Sequence, residues 1–319
     1  MMISPSMFAL AYVLDWLIGD PKWLPHPVRW MGWTIRSGER MLRKFGQTPR
    51  VEFVAGLLLT IVVIAIFGMG SWTLLHWLKV SNPTLAFLVS IFLAASTLAT
   101  RSLLDEARAV MKLLLDDDLI SARTQVARIV GRDTENLNEA EVSRAAIETL
   151  AESASDGIVA PLLYLAIGGI PAALAYKAAN TLDSMIGHRG EPYEFFGKCA
   201  ARVDDVANFI PARITALLLV CAAWTVRLDW RAAWLIMRRD AAKHKSPNAG
   251  YPESAMAGAL GVRLGGMNFY NGEAHDGQYL GDALLPLKPQ ALQSALRITV
   301  AVSILMFASS LIIKMILPW

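Results

Sequence analysis

An all-α, multi-pass integral membrane protein with cytoplasmic helical segments and five or six membrane segments is the fold this sequence predicts. Three observations carry that expectation. Of 319 residues, 55% are hydrophobic and only 18% charged, with a mean hydropathy of +0.41. Soluble domains run about half apolar and about a quarter charged. The apolar residues also gather into runs long enough for membrane helices. Third, the Lys and Arg residues concentrate in three polar segments, 19–52, 101–155 and 227–295. Placing all three on one face satisfies the positive-inside rule. The whole chain, 1–319, reads as a single membrane domain.

Composition also excludes function classes. A net charge of +3 gives no electrostatic footprint for nucleic acid. Cys199 and Cys221 lie in no CxxC or Cys/His cluster, so neither a zinc site nor a disulfide framework is implied. The N-terminus lacks a basic n-region and an A-x-A site and is not read as a cleaved signal.

Residues 3–18 are apolar but short for a span, with Asp15 near their end. They fit a span, a half-buried helix or an interfacial one. G-D-P-K-W-L-P-H-P-V-R-W-M-G (19–32) follows, where Pro21, Pro25 and Pro27 forbid a regular helix. His26 between two prolines, with Asp20 and Arg29, suits ligand positioning; Trp23, Trp30 and Trp33 fit an interfacial turn equally well. Residues 53–79 and 84–100 form a hairpin of spans, with His76 near its tip as a structural residue.

The first long polar segment carries amphipathic stripes, one of them Leu103, Leu104, Ala107, Val110, Met111 and Leu114. Asp133 or Thr134 is expected to cap a short helix, and Asn138 the next one. That helix bears Glu148, Glu152 and Asp156, four residues apart on one face. Like charges so spaced repel by about 0.2–0.5 kcal/mol per pair. Arg144 offsets only Glu148, which leaves Glu152 and Asp156 beside Gly157 as a cation or substrate site, or as a solvated acidic face.

Residues 157–179 are apolar but broken by G-G-I-P (168–171). Such a break is tolerated where the freed backbone faces protein or water, and discontinuous helices often line sites. Next come two acid/amide clusters, Asn180, Asp183 and Ser184, then Asp204, Asp205 and Asn208. Oxygen-rich sets of this kind suit Mg²⁺, which takes one or two carboxylates plus substrate phosphates. Capping and interhelical hydrogen bonding account for them as well. A span at 206–226 carries Arg213, expected to face protein or to snorkel. In 227–295, Lys243 and His244 precede a Ser-Pro-Asn-Ala-Gly turn containing Asn248, and Arg263 follows in a Gly-rich stretch. Cations beside free backbone N–H groups suit a phosphate or carboxylate. The chain then reads as loop to about residue 289, and 297–317 is the last span. Residues 180–205 fall on the opposite side of the membrane if 157–179 fully crosses, which leaves Asp156 and Asp183 apart unless that stretch is partly re-entrant.

Taken together, G-D-P…P-H-P-V-R (19–29), I-V-G-R-D-T (129–134), E-S-A-S-D-G-I-V-A-P (152–161), N-T-L-D-S-M (180–185), R-V-D-D-V-A-N-F-I-P-A-R (202–213) and K-H-K-S-P-N-A-G-Y-P-E (243–253) resemble the membrane adenosylcobinamide-phosphate synthase family of cobalamin biosynthesis, CobD/CbiB. Lys245 stands where the family carries proline, which loosens that turn and adds a cation.

The resemblance implies a ligase of a bacterial or archaeal cell membrane, its polar site facing the cytoplasm. It would join adenosylcobyric acid, a corrinoid substrate rather than a cofactor, to aminopropanol or its phosphate through an amide, driven by ATP and Mg²⁺. The lipid bilayer and other cobalamin-pathway enzymes are its expected partners. For that chemistry Glu152, Asp156, Asp183, Asp204 and Asp205 are candidate Mg²⁺ ligands, and Asp156 and Asp183 candidate catalytic residues. Arg29, Lys243, Asn248, Arg263, Asn180 and Ser184 are candidates for holding phosphate or carboxylate, and His26 or His244 for general base. Two other classes compete: an AmpE-type membrane sensor, which the superfamily also resembles, and a corrinoid transporter, suggested by the broken helix. Polar motifs across three cytoplasmic segments favour the enzyme.

Overall fold

Prolines set the starts of the apolar helices in the computed structural model, which describes every residue except 1–2, 22, 24, 47, 189, 191, 271 and 317–319. Helices α1 (Pro5–Ile18), α2 (Pro27–Leu42), α3 (Pro49–Ser81) and α4 (Pro83–Ala95) each have proline in the first turn. There the missing N–H costs nothing and the fixed φ is already helical. The preceding Ser4, His26, Thr48 and Asn82 each accept a backbone N–H with the side chain, which satisfies one exposed donor per helix.

The chain continues through α5 (Thr100–Leu115), α6 (Leu119–Val126) and α7 (Glu139–Ala154), then a π-helical turn, Ser155–Val159. After it come α8 (Ala160–Ile186), α9 (Lys198–Ala207), α10 (Phe209–Thr225), α11 (Trp230–Asp240) and α12 (Gly250–Leu260). The stretch expected to be loop up to residue 289 instead holds a hairpin, β1 (Met267–Tyr270) antiparallel to β2 (Glu273–Asp276). Helix α13 (Pro289–Ile316) ends the described chain; residue 317 of the expected last span lies outside it.

Among the described residues, four helical segments are long and apolar enough to cross a membrane: Pro49–Ser81, Pro83–Leu115, Glu139–Ile186 and Pro289–Ile316. Counting α9 and α10 as one broken span makes five, against the five or six expected. Helix α1, with 14 residues, is too short for that count. Within α8, Gly169 has φ 68° and ψ −163°, a conformation open essentially to glycine alone, two residues before Pro171. The helix therefore breaks inside the G-G-I-P run.

The described chain forms two compact units. The first comprises Met1–Ala99, Ala160–Asn208 and Phe307–Trp319. In it α3 packs along α8, and Gly56 lies so close to the carbonyl of Phe196 that a Cβ would sit 1.8 Å from that oxygen. Close backbone approach at small residues is how membrane helices gain packing without a hydrophobic drive. The second unit comprises Thr100–Val159 and Phe209–Met306. Its centre is α12, buried along nearly its whole length between α10 and α11. Of the predicted stripe, Leu103, Leu104, Ala107, Val110 and Leu114 are buried here and Met111 is half-buried.

Candidate functional site

In the second unit, helix α7 starts at a capping box in which Asn138 and Glu141 exchange side-chain and backbone bonds. No helix follows Asp133 or Thr134. Asp133 instead pins the hairpin: its N–H donates to Phe269 O at 2.8 Å and its Oδ2 accepts from Gly272 N at 2.7 Å.

Three turns into α7, Glu148 is the hub of a buried network. Its Oε1 accepts the Gly265 N–H at 2.7 Å and lies 3.6 Å from Arg144 Nη1. Its Oε2 accepts from Arg132 Nη2. Both arginines reach on to the hairpin, where Arg132 and Arg144 each donate to Asn268 Oδ1 and Arg144 also donates to the Gly265 and Met267 carbonyls. Glu152 is exposed one turn later, and Asp156, half-buried, falls in the π-helical turn that ends the regular spacing of the acidic face.

Glu253 in the first turn of α12 is 6% exposed. Burial, reinforced by the carboxylates of Glu148 and Glu152, pushes its carboxyl well above the ordinary range, against the pull of Arg132 and Arg144. His244 Nε2 stands 3.8 Å from Glu253 Oε1, and Nδ1 accepts the Ser246 N–H at 3.0 Å. Burial lowers the His244 pKa, so the ring is neutral, with its proton on Nε2 facing the acid. Ser246 Oγ accepts the N–H groups of Asn248 and Ala249, both at 3.2 Å. Those bonds, with the His244 bond, hold the turn that Lys245 was expected to loosen.

Of the remaining candidates here, Asn248 is buried and its Oδ1 lies 3.4 Å from Arg213 Nη1. Arg213 stacks over Phe209 and Tyr251, at 3.5 and 4.2 Å, so it faces protein as expected. Lys243 is exposed and paired with Asp240 at 2.5 Å, and Arg263 is exposed over the Tyr279 ring.

The first unit holds its own cluster. His26 caps α2 through Nδ1, which accepts the Val28 N–H at 3.3 Å, and its Nε2 lies 2.9 Å from Asp20 Oδ1. Arg29 is exposed in the same turn. Helix α2 meets the second half of α8 through Met31 and Thr181, which brings the histidine motif and the N-T-L-D-S-M motif into one unit. Asp204 is buried between two amides, accepting from Asn180 Nδ2 at 3.4 Å and from Asn208 Nδ2 at 3.0 Å. Asn208 Oδ1 accepts the Tyr176 hydroxyl at 2.8 Å, and Tyr176 stacks on Tyr164. Asp183 is half-buried, Ser184 is exposed, and Asp205 is half-buried with Arg202 at 3.8 Å. Asn180, Asp183, Ser184, Asp204 and Asp205 thus share the first unit, while Glu152, Asp156, Lys243, His244, Asn248 and Arg263 share the second.

Sequence reasoning passed over Glu253 and Arg132. Glu253 had a readable signal, a lone acid in an otherwise apolar helix, G-Y-P-E-S-A-M-A-G-A-L. Arg132 was present only as part of the I-V-G-R-D-T motif, with no role assigned, because its partners Glu148 and Asn268 are distant in sequence.

Long apolar helices joined to polar segments that bury an acid and an arginine beside a histidine define an integral membrane protein with a polar site. The chain belongs to the CobD/CbiB family: the model described as "CobD/Cbib protein" matches residues 8–299. It is 47% identical to the cobalamin biosynthesis protein CobD of Geobacter metallireducens, over 90% of each chain. It is 44% identical to the CobD of Photorhabdus laumondii over 85% of each, and 41% identical to the cobalamin biosynthesis protein CbiB of Salmonella paratyphi A over 94% of each. No solved structure matches it. Family membership makes the chain an enzyme of cobalamin biosynthesis in the cell membrane, which displaces the sensor and transporter readings.

Proposed function

We propose that this chain joins the free propionate carboxylate of adenosylcobyric acid to the amine of aminopropanol or its phosphate. The observation that carries the chemistry is the buried Glu253 facing a neutral His244 beside Arg132 and Arg144. Amide formation requires an uncharged amine, an activated carboxylate and a place for the amine proton. Ionised Glu253 accepts the amine proton on its carboxylate and becomes the neutral acid. His244, its Nδ1 tied to the Ser246 N–H, presents its Nε2–H to that carboxylate and orients it. Lys243, Asn248 and Arg263 hold phosphate or carboxylate groups of the substrates in the second unit; Arg29, Asn180 and Ser184 do so in the first.

ATP, when bound, would supply the phosphoryl group that activates the carboxylate, and Mg²⁺ would neutralise the charge that develops there. Among the described residues no three His, Cys, Asp or Glu gather into a metal cage. The residues fit the other mode, in which one or two carboxylates complete a Mg²⁺ that arrives with phosphates. Asp156 and Asp183 are half-buried and Glu152 is exposed, so each of these carboxylates keeps part of its surface open to solvent. Asp204, closed in by two amides, and Asp205 are the weaker members of the set.

Purified protein incubated with adenosylcobyric acid, aminopropanol phosphate and Mg-ATP should form the amide, followed by mass spectrometry of the corrinoid. No product from folded protein with either amine would overturn the assignment.

A further inference from the structure

We propose that the corner between α2 and α3 is a binding site for one anionic phospholipid, its acyl chain in a groove on α3 and its headgroup on Arg50 and Lys44. The groove encloses about 400 Å³ and is lined by Leu42, Phe45, Val51, Val54 and Leu58, with Arg50 at its end. Its wall is otherwise apolar. Val54 and Leu58 are 60% and 50% exposed, so no described residue of the first unit covers them. Arg50 is in the first turn of a 33-residue helix apolar enough to cross the bilayer. From Arg50 to Leu58 the helix rises about 12 Å, from the polar edge into the hydrocarbon. The groove therefore runs in the direction a lipid tail takes.

The charge at the corner selects the headgroup. Arg40, Lys44 and Arg50 are exposed and have no acidic partner among the described residues. The two acids nearby are both taken by Arg43, at 3.0 Å from Glu39 and 3.1 Å from Glu52. Arg43 is fixed further by the Pro192 carbonyl at 2.9 Å and by the Phe196 ring. The acids are neutralised inside the fold, and three cations without an acidic partner among the described residues remain on the segment 40–50, with Arg50 itself lining the groove. Basic residues placed at headgroup level attract anionic lipid.

Native mass spectrometry of the full-length protein in detergent, with phosphatidylglycerol and phosphatidylcholine of identical chains, tests the proposal. Wild type should retain phosphatidylglycerol in preference to phosphatidylcholine. The pair Lys44→Gln and Arg50→Gln should weaken phosphatidylglycerol binding about tenfold or more and leave phosphatidylcholine unchanged. Val54→Trp points outward, fills the groove and should weaken both lipids. Glycerol phosphate without chains should displace neither. Equal retention of the two lipids by wild type, undiminished phosphatidylglycerol binding in either variant, or displacement by glycerol phosphate would each overturn it.

Discussion

His244 Nε2 stands 3.8 Å from Glu253 Oε1, too far for a direct hydrogen bond and close enough for one water to bridge. The ring's other nitrogen is tied to the backbone, so its exchangeable proton can go only toward the acid. His26 is built the same way, with Nδ1 on the Val28 N–H and Nε2 toward Asp20. There the ring caps the N-terminus of a helix, whereas the His244 ring holds a turn through the Ser246 N–H.

Glu253→Gln should alter both pH-dependent stability and pH-dependent rate. Burial raises the folded pKa of Glu253, so the folded state favours the protonated acid. That stability is complete below the unfolded value of about 4.3 and is lost as pH rises through the raised folded value. The His244 shift has the opposite sense, its stability lost as pH falls through the lowered value. Gln cannot ionise, so the variant's melting temperature should fall less than wild type's on going alkaline. Its amide-forming rate should lose the rise with pH that ionised Glu253 provides. Parallel melting and rate profiles for the two proteins would remove Glu253 from the proton pathway.

Arg132→Ala should destabilise the protein by about 3 kcal/mol, the usual cost of stripping one partner from a buried pair. The Arg132 side chain is 6% exposed and Glu148 12%, and the arginine bridges Glu148 and Asn268. Arg132→Lys should recover only part of the loss, because one ammonium does not reproduce a planar two-armed contact. Denaturant unfolding in detergent reads both. Full recovery by lysine would show that charge alone matters at this position.

Local rules made much of the fold legible. The apolar runs, the proline starts, the Asn138 cap and the α5 stripe all follow from neighbours in sequence. The hairpin was legible as well, since N-G at 271–272 between residues of strand type is a strong hairpin signal. It was obscured by the polar, Gly-rich surroundings. What the sequence did not carry is long-range pairing. Spacing put Glu148 with Arg144, but Arg132, Gly265 and Asn268 join them only through the tertiary fold. The π-helical turn at Ser155–Val159 likewise breaks the four-residue face on which Asp156 was placed.

Gly169→Ala tests the broken helix. At φ 68° and ψ −163° a Cβ is strained however much space surrounds it, at a cost of order 1–3 kcal/mol. The variant should melt lower than wild type. Gly70→Ala, a helical glycine whose Cβ meets nothing within 4 Å, should not. Equal melting of the Gly169 variant and wild type would place no strain at the break.

Asp156→Asn and Asp183→Asn test the magnesium assignment from both units. Each substitution keeps side-chain volume and removes a charge. Both residues are half-buried, so protein should reach the membrane in wild-type amounts. If each acid completes a Mg²⁺ that arrives with phosphate, the loss should appear as a fall in turnover of at least about a hundredfold, the scale on which one lost charge-stabilising contact acts. Raising Mg²⁺ should partly restore the rate where the residue binds the ion, and have no effect where it only supports the fold. Asp205→Asn, whose carboxylate lies 3.8 Å from the exposed Arg202, should lose far less. Turnover at the wild-type level in both Asp156→Asn and Asp183→Asn would take these acids out of the site. Loss in one alone would assign the ion to that residue's unit.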